Sequence, residues 1–306
     1  MSVTFHISYI ISTYNRLPFL KLTLNRLIQN LIPQEEIVII DANSTDGSQD
    51  YLRQLFEDGK IHQYISEPDK NQAHGWNKAF LLAKGSIIKK IIDDDVFDLQ
   101  TIRKCADFML KNPQVDVIIS SDLSCKLSNY QSIEQHNRIK QYKEWTSGLK
   151  LSFTFGDVHM LIRRSSLTYI GLYNTDFIMM DWEYSLRISY LKAVIVYYTG
   201  YNALSVFHED SVSAKKNETL INIQAKKACT LYNYAGDRAE ISLWSKIKIG
   251  VGKFIFSTKK APTSDVINLD QHGIYNYLYT YLENLNKNGK YIFLEPSNFN
   301  EAKNQN

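Results

Sequence analysis

A largely parallel α/β sheet flanked by helices is the fold class this 306-residue sequence predicts. Two observations lead to it. Short apolar runs alternate with helical patterns through the first 120 residues, and strands that return in parallel need helices as crossovers. Acidic residues then stand at the ends of two of those runs, Asp41 and the triplet Asp93, Asp94 and Asp95, where such a sheet gathers its ligand-binding loops.

"HISYIIS" (6–12) reads as a strand, and "LPFLKLTLNRLIQNL" (17–31) as a helix with Pro18 in its first turn and Leu20, Leu24, Leu27 and Leu31 on one face. "EIVIID" (36–41) is a second strand, ended by the turn-rich "DANSTDGS". A helix over 49–58, a short strand over 61–65 and a helix over 73–85 closed by Gly85 follow. "SIIKKII" is the next strand, 98–111 the next helix and "VDVIIS" (115–120) another strand. Residues 121–150 are polar and weakly periodic, a connection or variable insert. The core pattern then resumes with "HMLIRRSSLTYIGLYNTDF" and "MMDWEYSLRISYLKAVIVYY". From about residue 215 lysine- and asparagine-rich helical patterns run to a polar tail; there is no internal repeat.

With 44% hydrophobic and 22% charged residues the chain buries a real core, and a net charge of +3 makes no case for nucleic acid. Aromatics often line sugar and nucleotide sites, but most of the 20 tyrosines are expected in the core. Cys105, Cys125 and Cys229 are widely spaced with no C-x-x-C pattern, so neither a disulfide framework nor a zinc site is indicated and a reducing cytosol fits. No basic n-region precedes a long apolar segment, and no window reaches the roughly 18 apolar residues of a spanning helix. The expectation is a protein neither exported nor transmembrane.

The stretch "IIKKIIDDDVF" sets three like charges at the end of a buried strand. Adjacent carboxylates repel unless solvent, a cation or hydrogen-bond donors offset them. A divalent cation is one answer, because Mg²⁺ or Mn²⁺ takes oxygen ligands and completes its shell with water and substrate phosphates. An acidic turn capping the next helix is the other. Asp41, delivered to the same crevice from an independent strand, favours the cation.

Six segments in this order, "IISTYNR", "VIIDANSTDGS", "SEPDKNQAHGWNKAFLLAKGSII", "IIDDDVF", "HMLIRRSSLTYIGLYNTDF" and "DWEYSLRIS", resemble the family 2 glycosyltransferases over roughly residues 5–213. The resemblance implies a GT-A fold over 1–213, with 121–150 as a variable insert or acceptor region and 214–306 as a C-terminal helical extension. It implies inverting transfer of a sugar from a nucleotide diphosphate donor, most simply a UDP-sugar, to an acceptor hydroxyl with Mn²⁺ or Mg²⁺.

By that resemblance Thr13, Tyr14, Asn15 and Arg16 contact the nucleotide, and Asp41 recognises the base or ribose. Asp69 and Lys70 border the donor, with Asn77 in the following "NK" pair. Asn71 stands where glycine is usual, "AHGWNK" departs from the family's small or acidic residues, and Trp76 is read as packing. The triplet supplies ribose contacts through Asp93 and Asp94, and metal ligands through Asp93 and Asp95 together with His208; Ile92 stands where some members carry a polar residue. Asp181 falls on the catalytic-base position, with Glu183 as its support or substitute and Trp182 and Arg187 beside it. Its other reading is a helix N-cap. His159 matches a histidine near donor or acceptor.

In "ISLWSKIKIGVGKFIFSTKK" (241–260) apolar residues interleave with lysines, as in an interfacial amphipathic helix or one that packs on the catalytic domain. Relatives acting on polyprenyl-linked acceptors at the cytoplasmic membrane face give the first reading its appeal. The implied protein is a cytoplasmic or peripheral bacterial enzyme of surface polysaccharide or glycolipid assembly, with a glycan or polyprenyl-diphosphate-linked acceptor and no nucleic acid. Its rivals are a non-catalytic nucleotide-sugar or glycan-binding relative and a sugar-1-phosphate nucleotidyltransferase. The latter should carry a Gly/Arg-rich loop where this chain has "STYNR".

Overall fold

The computed structural model describes residues 4–208, 218–234, 236, 270–296 and 299. Strands β1 (Ile7–Thr13), β2 (Glu35–Asp41), β3 (Gln63–Ser66) and β4 (Ile87–Lys90) are joined by helices α1 (Leu17–Gln29), α2 (Ser48–Glu57) and α3 (Gln72–Leu82). The short β5 (Val96–Phe97), helix α4 (Leu99–Lys111) and β6 (Val117–Ser120) follow, then β7 (Asp122–Lys126), β8 (Asn129–His136) and α5 (Ile139–Thr146). The rest comprises β9 (Met160–Arg163), α6 (Leu167–Ile170), α7 (Met180–Tyr190), β10 (Ile195–Tyr198), β11 (Ala203–Phe207), α8 (Glu218–Leu231), α9 (Gln271–Asn288) and β12 (Phe293–Leu294).

Eight strands form the main sheet in the order β12-β10-β6-β9-β4-β1-β2-β3, and β5-β11-β7-β8 form a second sheet. The pairs among β1, β2, β3 and β4 are parallel, whereas β9 runs antiparallel between β4 and β6. The period-two alternation of the strands explains the two core layers. Tyr9, Ile11, Ile37 and Ile39 pack with Leu20 and Leu24 of α1; Ile10, Val38 and Ile40 face the layer holding Trp76 and Phe80 of α3 and Tyr184 of α7. The predicted α/β class and the first four strands are therefore as expected.

Three local expectations change. Helix α3 ends at Leu82 with Ala83 as its cap, not at Gly85. Gly85 instead lets two backbones meet: a Cβ there would lie 2.6 Å from the Ser8 nitrogen, and its own N–H donates to Ser8 Oγ at 2.8 Å and Glu36 Oε1 at 3.1 Å. Residues 121–150 are not a plain connection but β7, β8 and α5. Their weak periodicity has a physical cause: β8 is the edge of the second sheet and is mostly exposed, so only Tyr130 had to be buried. The third change concerns the C-terminal extension expected after residue 213. Strand β12 pairs with β10 at the edge of the main sheet, and α9 buries Tyr275, Leu278, Tyr279 and Leu282 against the second sheet. Segment 241–260 lies outside the described residues. No helix among the described residues is long and apolar enough to cross a membrane.

Candidate active site

The carboxyl ends of β1, β2 and β4 open onto a cavity of about 960 Å³ lined by Thr13, Tyr14, Arg16, Asp69, the three aspartates, His159 and Asp181 among others. An adjoining cavity of about 860 Å³ shares Tyr14 and Arg16 and adds Asn15 and His208. Among the described residues the larger cavity is lined by seven aspartates against three arginine and lysine side chains.

At the end of β1, Thr13 Oγ1 donates to Asp93 Oδ2 at 2.7 Å. Asn15 sits at φ 50°, a left-handed turn that asparagine tolerates, and its side chain accepts from the Thr45 N–H at 2.7 Å, tying this loop to the one after β2. That turn aims Arg16 at the triplet, where it bonds Asp94 Oδ2 and reaches Asp93 Oδ1 at 3.4 Å. Asp41 is fully buried; its Oδ2 accepts from the Ser44 N–H at 3.0 Å and Ser66 Oγ at 2.6 Å, so the turn-forming role is real. Its Oδ1 is buried with no hydrogen-bond partner, an unmet acceptor of the kind a ligand N–H or hydroxyl would satisfy.

The three aspartates divide the work. Asp95 Oδ1 accepts from the Val206 N–H at 2.8 Å and joins the loop to β11. Asp94 carries Arg16 and, at 2.7 Å, His208 Nε2, and its backbone carbonyl accepts from Tyr275 Oη of α9 at 2.6 Å. Burial, and then the neighbouring Asp94 charge, push the Asp93 carboxyl up to about 7 and raise that of Asp95 as well. The charge excess of this loop is thus only partly neutralised.

The residues expected to hold a metal, Asp93, Asp95 and His208, take different partners within the fold. Among the described residues no group of three or more His, Cys, Asp or Glu side chains is arranged around one ion. His208 meets Asp94, whereas Asp95 spends its Oδ1 on the Val206 N–H. A carboxylate and an imidazole do fit a cation that draws its remaining ligands from water and a diphosphate. The excess of acidic lining also makes a dianionic group unwelcome without one.

Elsewhere the predicted residues separate. Asp69 pairs with Lys78 Nζ at 2.8 Å, and Gly75 permits the contact, since a Cβ there would overlap Ser12 Oγ and Asp69 Oδ2. That is the physical reason for glycine in "AHGWNK". Lys70 is exposed, 3.9 Å from Asp176. The Asn77 amide is used in structure: Nδ2 donates to the Tyr173 carbonyl at 2.9 Å and Oδ1 accepts its N–H at 2.8 Å.

Asp181 lies in the first turn of α7, whose N-cap is Met179, and lines the cavity. Glu183 faces away into the core, 1% exposed, held by Arg187 at 3.0 and 2.8 Å and by Tyr232 Oη at 2.5 Å. Arg187 also donates to the Ile170 carbonyl, and Trp182 packs edge-on to Tyr234. None of Glu183, Trp182 and Arg187 is among the cavity-lining residues. His159 does line it; burial pushes its imidazole down to about 4, so it is neutral, with Nε2 3.8 Å from Asp122 and Nδ1 without a partner.

Sequence reasoning missed a buried group on the same wall. Lys90 Nζ, 2.6 Å from Asp157 Oδ2, lies over the Trp76 ring at 4.4 Å and the Tyr173 ring at 5.5 Å, and Tyr173 Oη donates to the same oxygen at 2.6 Å. Two lysines inside an isoleucine strand were the available signal, because a buried ammonium demands partners. The other, Lys89, donates to the Val158 carbonyl and, at 3.0 Å, to Asn202 Oδ1.

The fold has known counterparts. Structures of Staphylococcus aureus TarS 1–349 with UDP-GlcNAc (TM-score 0.59, 17% identity, 77% of this chain and 68% of that one) and of the Pyrobaculum calidifontis mannosyltransferase PcManGT with GDP-Man and Mn²⁺ (TM-score 0.52, 17% identity, 92% and 85%) share the fold. A Bacillus subtilis glycosyltransferase provisionally assigned to teichuronic acid biosynthesis, TuaG, is 29% identical over 106 residues, 34% of this chain and 42% of its own. This chain thus matches less than half the length of that relative. The sequence profile of Glycosyl transferase family 2 matches residues 8–171, more than half of the chain and including the ends of β1, β2 and β4 that open onto the cavity, and the chain therefore belongs to that family.

Proposed function

We propose that the chain transfers a sugar, with inversion, from a nucleoside diphosphate donor, most simply a UDP-sugar, to a hydroxyl of a glycan or polyprenyl-linked acceptor. Its setting would be bacterial surface polysaccharide assembly at the cytoplasmic side of the membrane. The observation that carries this reading is one cavity that holds the aspartate loop and Asp181, with the unmet acceptor of Asp41 buried at the end of β2. The Asp41 Oδ1 atom would accept from the base or ribose, and Thr13, Tyr14 and Arg16 would border the nucleotide. Asp69 helps shape the donor loop, with Lys70 at its rim.

Asp94 and His208, with Asp93 beside them, would hold Mn²⁺ or Mg²⁺. When bound, such an ion supplies positive charge to the departing diphosphate. Asp181 would take the acceptor hydroxyl's proton as the new glycosidic bond forms. Release of Arg16 from Asp94 would free its guanidinium for phosphate oxygen, a role its planar fork suits.

The test is turnover of UDP-, GDP-, dTDP- and CMP-sugars, with and without Mn²⁺, in wild type and Asp181→Asn. The expected result is donor binding unchanged and hydrolysis or transfer reduced about 10²- to 10⁴-fold in the variant. Donor binding with no turnover in wild type, against any acceptor tried, would instead favour a sugar-nucleotide-binding relative.

A further inference from the structure

We infer that the wall built by Trp76, Lys90, Asp157 and His159 is the subsite for the transferred sugar, and that it takes a neutral hexose or N-acetylhexosamine in preference to a uronic acid. The inference deepens the transferase reading and rests on it.

Two unmet polar atoms belong to this wall. Trp76 is fully buried and lines the cavity, yet its indole N–H has no hydrogen-bond partner, and the buried His159 Nδ1 has none either. A native fold rarely leaves buried polar groups unmatched unless a ligand or ordered water completes them. The indole N–H can only donate, so it calls for an oxygen acceptor; the neutral imidazole can donate or accept according to tautomer. A sugar hydroxyl, which does both, answers the pair.

Charge decides which sugar. Every cation among the described lining residues has a partner: Lys90 has Asp157 at 2.6 Å, Arg138 has Asp122 at 3.3 Å, and Arg16 has Asp93 and Asp94, which it would exchange only for the donor's phosphate. Lys90 is further enclosed by the Trp76 and Tyr173 rings, so it cannot turn to a second anion without leaving the buried Asp157 with a tyrosine hydroxyl and no counter-charge. A uronate carboxylate would meet an acidic lining with no available counter-charge. Hydroxyl or acetamido groups bring no such cost.

The experiment measures affinities of UDP, UDP-glucose, UDP-N-acetylglucosamine and UDP-glucuronate, with GDP and GDP-mannose as the second nucleotide arm, for wild type, Trp76→Phe and Asp157→Asn in the presence of Mn²⁺. In wild type the neutral sugars should add to the affinity of the bare nucleotide and glucuronate should not. Trp76→Phe, which keeps the ring beneath Lys90, should weaken the neutral sugar nucleotides about five- to tenfold and leave the nucleotide alone unchanged. Asp157→Asn releases Lys90 and should shift preference toward glucuronate. Tighter binding of glucuronate than glucose in wild type, or equal loss of nucleotide and sugar nucleotide in Trp76→Phe, overturns the subsite. Absence of any nucleotide binding in wild type sinks the transferase reading itself and the subsite with it. If Asp157→Asn fails to fold, the wild-type selectivity and the Trp76→Phe comparison still decide.

Discussion

The two ends of the cavity handle charge in opposite ways. At the aspartate loop, two carboxylates share one guanidinium and one imidazole, and burial together with mutual repulsion raises the Asp93 carboxyl to about 7. At the Trp76 wall, one ammonium and one carboxylate are closed on each other and roofed by aromatic rings. The first end has anionic valence to spare and suits a ligand that arrives with a cation. The second is balanced and suits a neutral ligand. A buried ion pair is informative about function only when its stoichiometry is read along with its distance.

Breaking the acidic end should have the largest effect on donor binding. Asp94→Ala should abolish the Mn²⁺-dependent part of donor affinity, a loss of about tenfold or more, whereas Asp95→Asn, which can still accept from Val206, should retain it. Titrating donor against Mn²⁺ by calorimetry checks both, and an unchanged Mn²⁺ dependence in Asp94→Ala would reassign the ligand. A closed pair away from the cavity supplies the contrast. Glu183→Gln removes the charge opposing Arg187 and should cost about 3 kcal/mol of stability, read from urea midpoints, while the folded enzyme keeps its donor affinity. The smallest effect is expected where α9 braces the acidic end. Tyr275→Phe deletes the donor to the Asp94 carbonyl and should cost about 1 kcal/mol of stability. It should also weaken Mn²⁺-dependent donor binding severalfold, with binding of nucleotide in the absence of metal unaffected. A stability loss alone would make Tyr275 a packing residue.

The legible part of the molecule was the part written in local sequence. β1, α1, β2 and α4 follow from apolar periodicity because each buries one face or both against neighbours of its own half, and their turns use asparagine, aspartate and serine for reasons of local hydrogen bonding. The edge hairpin β7–β8 was not legible, because a mostly exposed edge strand imposes no alternation. Nor could spacing divide the labour of the three aspartates. Adjacent residues on an irregular loop point in unrelated directions, and which of them faces β11, β1 or His208 depends on chain brought from 80 to more than 100 residues away. Glu183 shows the converse: two residues from Asp181 on one helix means opposite faces, so the proximity of two carboxylates in sequence says nothing about a shared site.

By itself the sequence determined the α/β class, the strand ends that carry acidic residues, and the membership in a family whose segments recur in fixed order. Only the tertiary structure decided that Asp94 is the carboxylate meeting His208, that Lys90 and Asp157 cancel each other, and that α9 and β12 complete the unit. The reason is the range of the forces concerned. Periodicity and turn chemistry act within a few residues, whereas the pairing of a buried charge is set by whichever partner the packed fold delivers within about 3 Å.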